Sequence, residues 1–293
     1  MEISVFLKTM NNQTQRFPSR VLAVLILGAA LPTVHAHGQT QESSGPDHFA
    51  VPLTEPSRPA LVQASLISGG ITVKGYDGKE VVVEARARSR ESARSNSNMK
   101  RIVVSSTGLS VEEENNQVRI NTDSYMRPID LTISVPVHSS LKLSAVNDGN
   151  IVVTGVDGEL DVNDVNGSVT LNNVAGSAVA HALNGRLLVT FTRVNQKPMA
   201  FSSLNGDIDV TFPADLKANL TLKSDRGEIF TDFDVQMQAA PVQQIVEDGR
   251  KQDGKYRVRI DKAVHGAING GGPEYQFTNF NGSIYIRKAG APR

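Results

Sequence analysis

The side chains able to do chemistry beyond binding are few and scattered. Past His35, histidines stand at 37, 48, 138, 181 and 265, and none has a second histidine or a carboxylate at the spacing of an H-E-x-x-H zinc helix. The chain has no cysteine, which removes thiolate metal sites, thiol nucleophiles and disulfides together. It also lacks the G-x-S-x-G turn that would raise a serine nucleophile. Carboxylates at Asp157, Glu159, Asp161, Asp164, Asp207 and Asp209 invite a calcium or acid-catalysis reading. The run from Asp161 to Gly167 briefly resembles a calcium loop, but Val165 fills its fifth position, where an oxygen ligand is required. Glu159, Asp161, Asp207 and Asp209 fall at positions one and three after a glycine, and all six acids are expected to point outward as a solvated face. Should paired carboxylates cleave a polysaccharide here, Asp207 and Asp209 are the candidates. No cofactor is expected.

The strongest charge run is basic: Arg86, Arg88, Arg90, Arg94, Lys100 and Arg101. Alternation with Ala places its first members on the outer face of a strand and the rest in the loop after it. Such a face attracts an anionic polymer, an acidic polysaccharide or lipid headgroups. Alternatively, it is a charged edge that prevents strand-to-strand aggregation, and that reading is favoured.

Composition bounds what these residues serve. Over 293 residues, 30 basic side chains balance 30 acidic ones, so the electrostatic footprint of a nucleic-acid binder is missing. With 39% apolar but only 5% aromatic residues, the expected core is Val, Leu, Ile and Ala rather than large rings. Lys8, Arg16 and Arg20 precede an apolar run from Val21 to Leu31, then Val34-His35-Ala36, the order of a secretory signal cleaved after Ala36. That run is far shorter than the roughly 20 residues a helix needs to span a bilayer, so the mature chain is expected to be exported without a transmembrane segment. Residues 37–58, rich in Pro, Gly and Ser, read as a disordered tether.

A repeat organises everything after residue 59. Glycines stand at 149, 158, 167, 176 and 185, nine apart, and the spacing lengthens to 21 at Gly206. These six are expected to be structural turns. The second and fourth residues after each glycine are apolar, as in Ile151 and Val153 or Val169 and Leu171, which is the signature of short strands with one buried face. The seventh is apolar too, at Val156, Val165, Val174 and Leu183. A straight strand cannot send positions two, four and seven to one side. The chain must therefore bend within each unit and wrap around a narrow core. Asn precedes Gly at 167, 185 and 206 but not at 158 and 176, so the true repeat is a coil of 18 to 21 residues with one corner favouring a hydrogen-bonded asparagine ladder. An all-β, single-domain β-solenoid over 59–290 is expected, with an irregular insertion at 230–254 that carries a short helix near Val242 to Glu247.

The segments Val146-Asn147-Asp148-Gly149-Asn150-Ile151-Val152-Val153 and Val165-Asn166-Gly167-Ser168-Val169-Thr170-Leu171 resemble a bacterial family of unknown function known as "putative adhesins", built from VNG-x-I-x-V units. The resemblance spans roughly Ala60 to Lys288. It implies a β-solenoid-like stack and brings no catalytic residues with it. The functional expectation is a non-catalytic, exported cell-envelope protein presenting a repetitive surface to another envelope or surface macromolecule, for adhesion or scaffolding. The alternative is a carbohydrate-active enzyme on a β-helix, a hydrolase or lyase. That enzyme would need converging acids and an aromatic-lined groove.

Overall fold

A strand whose alternate residues are Ile, Val and Leu must bury one face, and each coil of this chain does so against the next. The computed structural model describes residues 46–88, 107–122, 127–238, 244–248, 256–260 and 263–291. Among these residues, twenty strands form one continuous sheet folded into two faces, joined where the long strand Val169–Ala182 passes from one face to the other. Along the first face run Leu109–Glu114, Gln117–Thr122, Ala60–Ser68, Ser139–Asn147, Asp157–Asp164, the end of Val169–Ala182, Met199–Asn205, Glu274–Asn281, Ala218–Ser224, Val264–Ile268 and Val235–Gln238. Along the second run Asp47–Pro52, Glu80–Ala87, Ile129–Pro136, Ile71–Tyr76, Ile151–Thr154, the start of Val169–Ala182, Leu187–Val194, Ile208–Phe212, Ile284–Lys288 and Ile229–Thr231. Coils pair in parallel, as a solenoid requires, and antiparallel strands close its ends.

Stacking order is not chain order. The coil of Ala60–Ser68 and Ile71–Tyr76 lies between strands of 117–136 and those of 139–154. At the other end, Glu274–Asn281 and Ile284–Lys288 lie between 199–212 and 218–231. Each terminal coil is clamped on both sides, so the stack is complete only when both ends of the chain are in place. Contacts of such long sequence separation slow folding.

The bend inferred from parity is real but occurs differently at the two corners. Val156 and Val174 point inward, whereas Leu183 is 43% exposed and Val165 is half-buried. At the asparagine corner the inward position belongs to the residue three before the glycine, and the expectation of an outward-facing Asp164 is overturned: it is fully buried. Its neighbours in register are Ala145 and Ala182. The equivalent residues Ser203, Asn279 and Ser224 donate hydrogen bonds to the carbonyls of Gly185, Gly206 and Gly282 in the preceding coil. An ionised Asp164 has no proton to donate. It faces the N–H groups of Gly167, Asn166 and Ile151, the last two already committed to carbonyls, and neither of its oxygens completes a hydrogen bond. Burial, the dominant influence, pushes its pKa up to about 6.

The glycine corners are required by close approach. A Cβ on Gly167 would sit 1.9 Å from the Gly149 carbonyl oxygen, and one on Gly185 2.1 Å from that of Gly167. Gly206 repeats the contact on Gly185, and Gly149 meets the backbone of Gly69. Gly158 and Gly176 form part of the opposite corner, which explains why they lack a preceding Asn. The ladder is present: Asn166, Asn184, Asn205 and Asn281 donate in turn to Asn147, Asn166, Asn184 and Asn205 at 2.7–2.8 Å. Asn184→Ala breaks two rungs. It should cost about 1–2 kcal/mol, measured as a lowered denaturation midpoint at unchanged slope.

Four expectations are corrected. Part of the presumed tether is ordered: Asp47–Pro52 pairs with Glu80–Ala87, Leu53 enters the core, and Asn116 holds the carbonyl and N–H of Glu55. The segment lacks apolar surface of its own, but a sheet edge and an asparagine side chain supply its partners. Residues 229–238 are not irregular, since Ile229–Thr231 and Val235–Gln238 both join the sheet. In place of the helix near Val242–Glu247, Gln244–Asp248 pairs antiparallel with Tyr256–Ile260, as β-branched Ile245 and Val246 favour. Rings do enter the core: Phe191, Phe201, Phe212, Tyr275 and Phe277 pack as one cluster with centroids 5.0–6.4 Å apart in the C-terminal coils. The proposed signal, 1–36, lies outside the described residues.

Candidate functional site

Of the six basic residues singled out, Arg90, Arg94, Lys100 and Arg101 lie outside the described residues. Arg86 is exposed on the Glu80–Ala87 strand, directly across from Asp130. Arg88 is spent on structure. Its guanidinium grips both oxygens of Asp130, at 2.7 and 2.5 Å, and donates to the Asp148 carbonyl. Burial works to raise the Asp130 pKa. The Arg88 hydrogen bond, the Gly70 N–H and the nearby guanidinium charges outweigh it, so the carboxyl stays below its usual range. Arg88 therefore ties the Glu80–Ala87 strand to the Gly69–Gly70 and Gly149 corner instead of offering free charge to a polyanion.

Asp207 and Asp209 are likewise occupied. Asp207 accepts from the Ser283 N–H at 2.9 Å and stands 3.8 Å from Arg186; Asp209 accepts from Arg287 Nε at 2.8 Å. Both belong to one coil, Asp209 within the strand Ile208–Phe212 and Asp207 just before it, and each is tied through these partners to a neighbouring coil. His181 and His265 contact Ser202 and Thr221 hydroxyls. His138 lies 3.2 Å from Asp157, which also takes Arg193 at 2.5 Å.

Among the described residues, concavities arise that the sequence pattern did not signal, and two of them lie one on each face. On the first face, a groove of about 770 Å³ runs between Pro59 and Pro198 over Leu141, Leu160, Ala178 and Val179. Its rim is neutralised internally, Lys197 pairing with Glu159. On the second face, a hollow of about 520 Å³ is lined by Asn172, Leu188, Thr190, Asp209, Thr211 and Arg287.

That second face has a regular surface. Strand register aligns Thr132, Thr72, Val152, Thr170, Leu188, Asp209, Tyr285 and Phe230 in one outward column. Beside it run Ser134, Lys74, Thr154 and Asn172, then Thr190, Thr211 and Arg287. Rows repeat at the strand spacing of about 4.8 Å, and side chains within a strand stand about 6.6 Å apart. Thr72, Thr132, Thr154, Thr170, Thr190 and Thr211 make no hydrogen bond through their hydroxyls to any described residue. At the column's C-terminal end, Phe230 and Tyr285 stack at 5.1 Å and 9°, and Arg287 lies over the Tyr285 ring at 5.1 Å. The hydrogen bond to Asp209 holds the Arg287 pKa above its usual value.

These features define a two-faced β-solenoid whose coils pair in parallel. The chain belongs to the Toastrack DUF4097 family, whose model matches residues 51–269, and the expected membership and solenoid-like stack both hold. No curated protein matches it. Among solved structures it is similar to a "putative cell adhesion protein" from Clostridium sporogenes, at 12% identity and a TM-score of 0.37 over 83% of this chain and 99% of that one. It is also similar to a "putative adhesin" from Bacteroides fragilis, at 13% identity and a TM-score of 0.30 over 84% of this chain and 98% of that one. Both are distant in shape as well as in sequence.

Proposed function

We propose that the protein is a non-catalytic, exported cell-envelope component that holds another envelope or surface macromolecule against its second face, in adhesion or scaffolding. The observation carrying this reading is the two-column outer surface from Thr132 to Phe230, where unbonded threonine hydroxyls recur from coil to coil. A repeating polymer meets such a surface in the same way at every step, so weak contacts add along its length. The basic N-terminus followed by Val21–Leu31 and Val34-His35-Ala36 supports export. The carboxylates suggested for an enzyme are held in ion pairs between coils, which suits a structural role better than proton transfer.

The test is an array of glycans, envelope polymers and envelope fractions probed with the purified protein. Saturable binding that falls at least tenfold in a Thr170→Lys, Thr190→Lys double variant is expected. Binding to nothing on the array, or binding indifferent to that variant, overturns the reading. An Arg86→Ala, Arg88→Ala, Arg90→Ala variant tests the anionic-polysaccharide partner, and unchanged binding removes the basic face from consideration.

A further inference from the structure

We infer that the hollow on the second face, together with the Tyr285–Phe230 stack beside it, is a subsite for a neutral glycan chain lying along the solenoid axis. This rests on the adhesion reading above and names the partner's chemistry.

Three observations converge. First, the charges at the site cancel within the protein: Arg287 and Asp209 bond to each other at 2.8 Å while 37% and 22% of their side chains stay accessible. A salt-linked pair of this kind still offers a carboxylate oxygen as acceptor and guanidinium nitrogens as donors, side by side. Adjacent sugar hydroxyls, each donor and acceptor at once, match it. A polyanion would have to displace Asp209, and a cation would have to displace Arg287.

Second, apolar surface is exposed in the same column. Leu188 is 42% and Phe230 45% exposed, flanking Asp209 and Tyr285. In a chain with so few aromatic residues, two stacked rings at an open surface stand apart from the five-ring cluster inside. Sugar C–H faces pack on such apolar and aromatic surface, while their hydroxyls seek polar groups around it. Third, those polar groups are present and unspent: the Thr190 and Thr211 hydroxyls and the Asn172 amide line the hollow without a described protein partner. From Thr170 to Phe230 the column crosses five coils, about 19 Å at the strand spacing, enough to seat several sugar rings in a row.

Titration calorimetry of the full-length protein tests this with soluble hexasaccharides of glucose, mannose, galactose and N-acetylglucosamine, and with oligogalacturonate as the anionic comparison. At least one neutral series is expected to bind with an affinity that changes less than about twofold between about 50 and 500 mM salt. Tyr285→Ala, Phe230→Ala and Arg287→Gln should each weaken it at least tenfold, and Arg86→Ala should leave it unchanged. Leu188→Asp provides a second probe whose exposed position spares the core, and melting curves confirm that each variant is folded. Binding of oligogalacturonate alone, or wild-type affinity in both Tyr285→Ala and Leu188→Asp, overturns the inference. If the polymer array is positive but insensitive to these changes, the adhesion reading survives and the subsite does not; if the array is negative, both fall.

Discussion

Asp164→Asn is expected to make the protein more stable at pH 7 and above. Asp164 occupies a place in the column where Ser203, Ser224 and Asn279 each donate to a glycine carbonyl, and the register sets the Gly149 carbonyl opposite it. Asn supplies the missing donor in nearly the same volume. The pH dependence follows from proton counts. With its folded pKa raised from 3.8 to about 6, Asp164 keeps a proton in the native state that the unfolded chain has already lost. Stability contributed by this group is therefore complete below pH 3.8 and declines as pH rises toward 6, by up to about 3 kcal/mol in all. Denaturant titrations from pH 4 to 8 should show this fall in the wild type and its absence in Asp164→Asn, with the two diverging most above pH 6. A wild-type stability that is flat across that window, or a variant less stable at pH 7, would contradict this account of the buried acid.

Gly185→Ala should be the more damaging change. Its new methyl would lie 2.1 Å from the Gly167 carbonyl oxygen and 2.6 Å from the carbonyl carbon. Neither can retreat, because Leu183 and Asn184 donate to Asp164 and Val165 in the same corner, while Leu204 and Asn205 donate to Leu183 from the other side. The coil would have to part from its neighbour, at a cost of about 3 kcal/mol or more. Gly290→Ala is the comparison. Its φ of +82° strains an alanine, but nothing lies within 4 Å, so a loss of about 1 kcal/mol is expected. Thermal unfolding of the two variants separates close approach from backbone strain as the reason for glycine.

These two sites also mark how far the pattern of residues reaches. The nine-residue glycine spacing, the alternating aliphatics and the misplaced parity of Val156 and Val174 were enough to give a bent, coiled β chain, its 18-to-21-residue period and the asparagine corner. Local spacing suffices there because a strand's period and a turn's demand for glycine are set by the backbone within a few residues. The same argument failed at Val165 and Leu183, because the two corners are not equivalent, and an inward Asp164 could be found only by placing the coils against one another.

Three further features were decided by tertiary structure alone. The intercalation of the first and last coils pairs residues more than 70 positions apart, as with Ile208 and Ile284, and no local pattern records which coil lies beside which. Arg88 carries the same charge in sequence whether it meets solvent or Asp130, and only the stacking of Ile129–Pro136 beside Glu80–Ala87 brings the two together. The second-face column gathers Leu188, Asp209, Tyr285 and Phe230 from four separate segments. Residue types alone determined that this chain would coil and where it would turn, because those choices are local. Which side chains share a surface depends on the order in which the coils stack, and that order is set by contacts between distant parts of the chain.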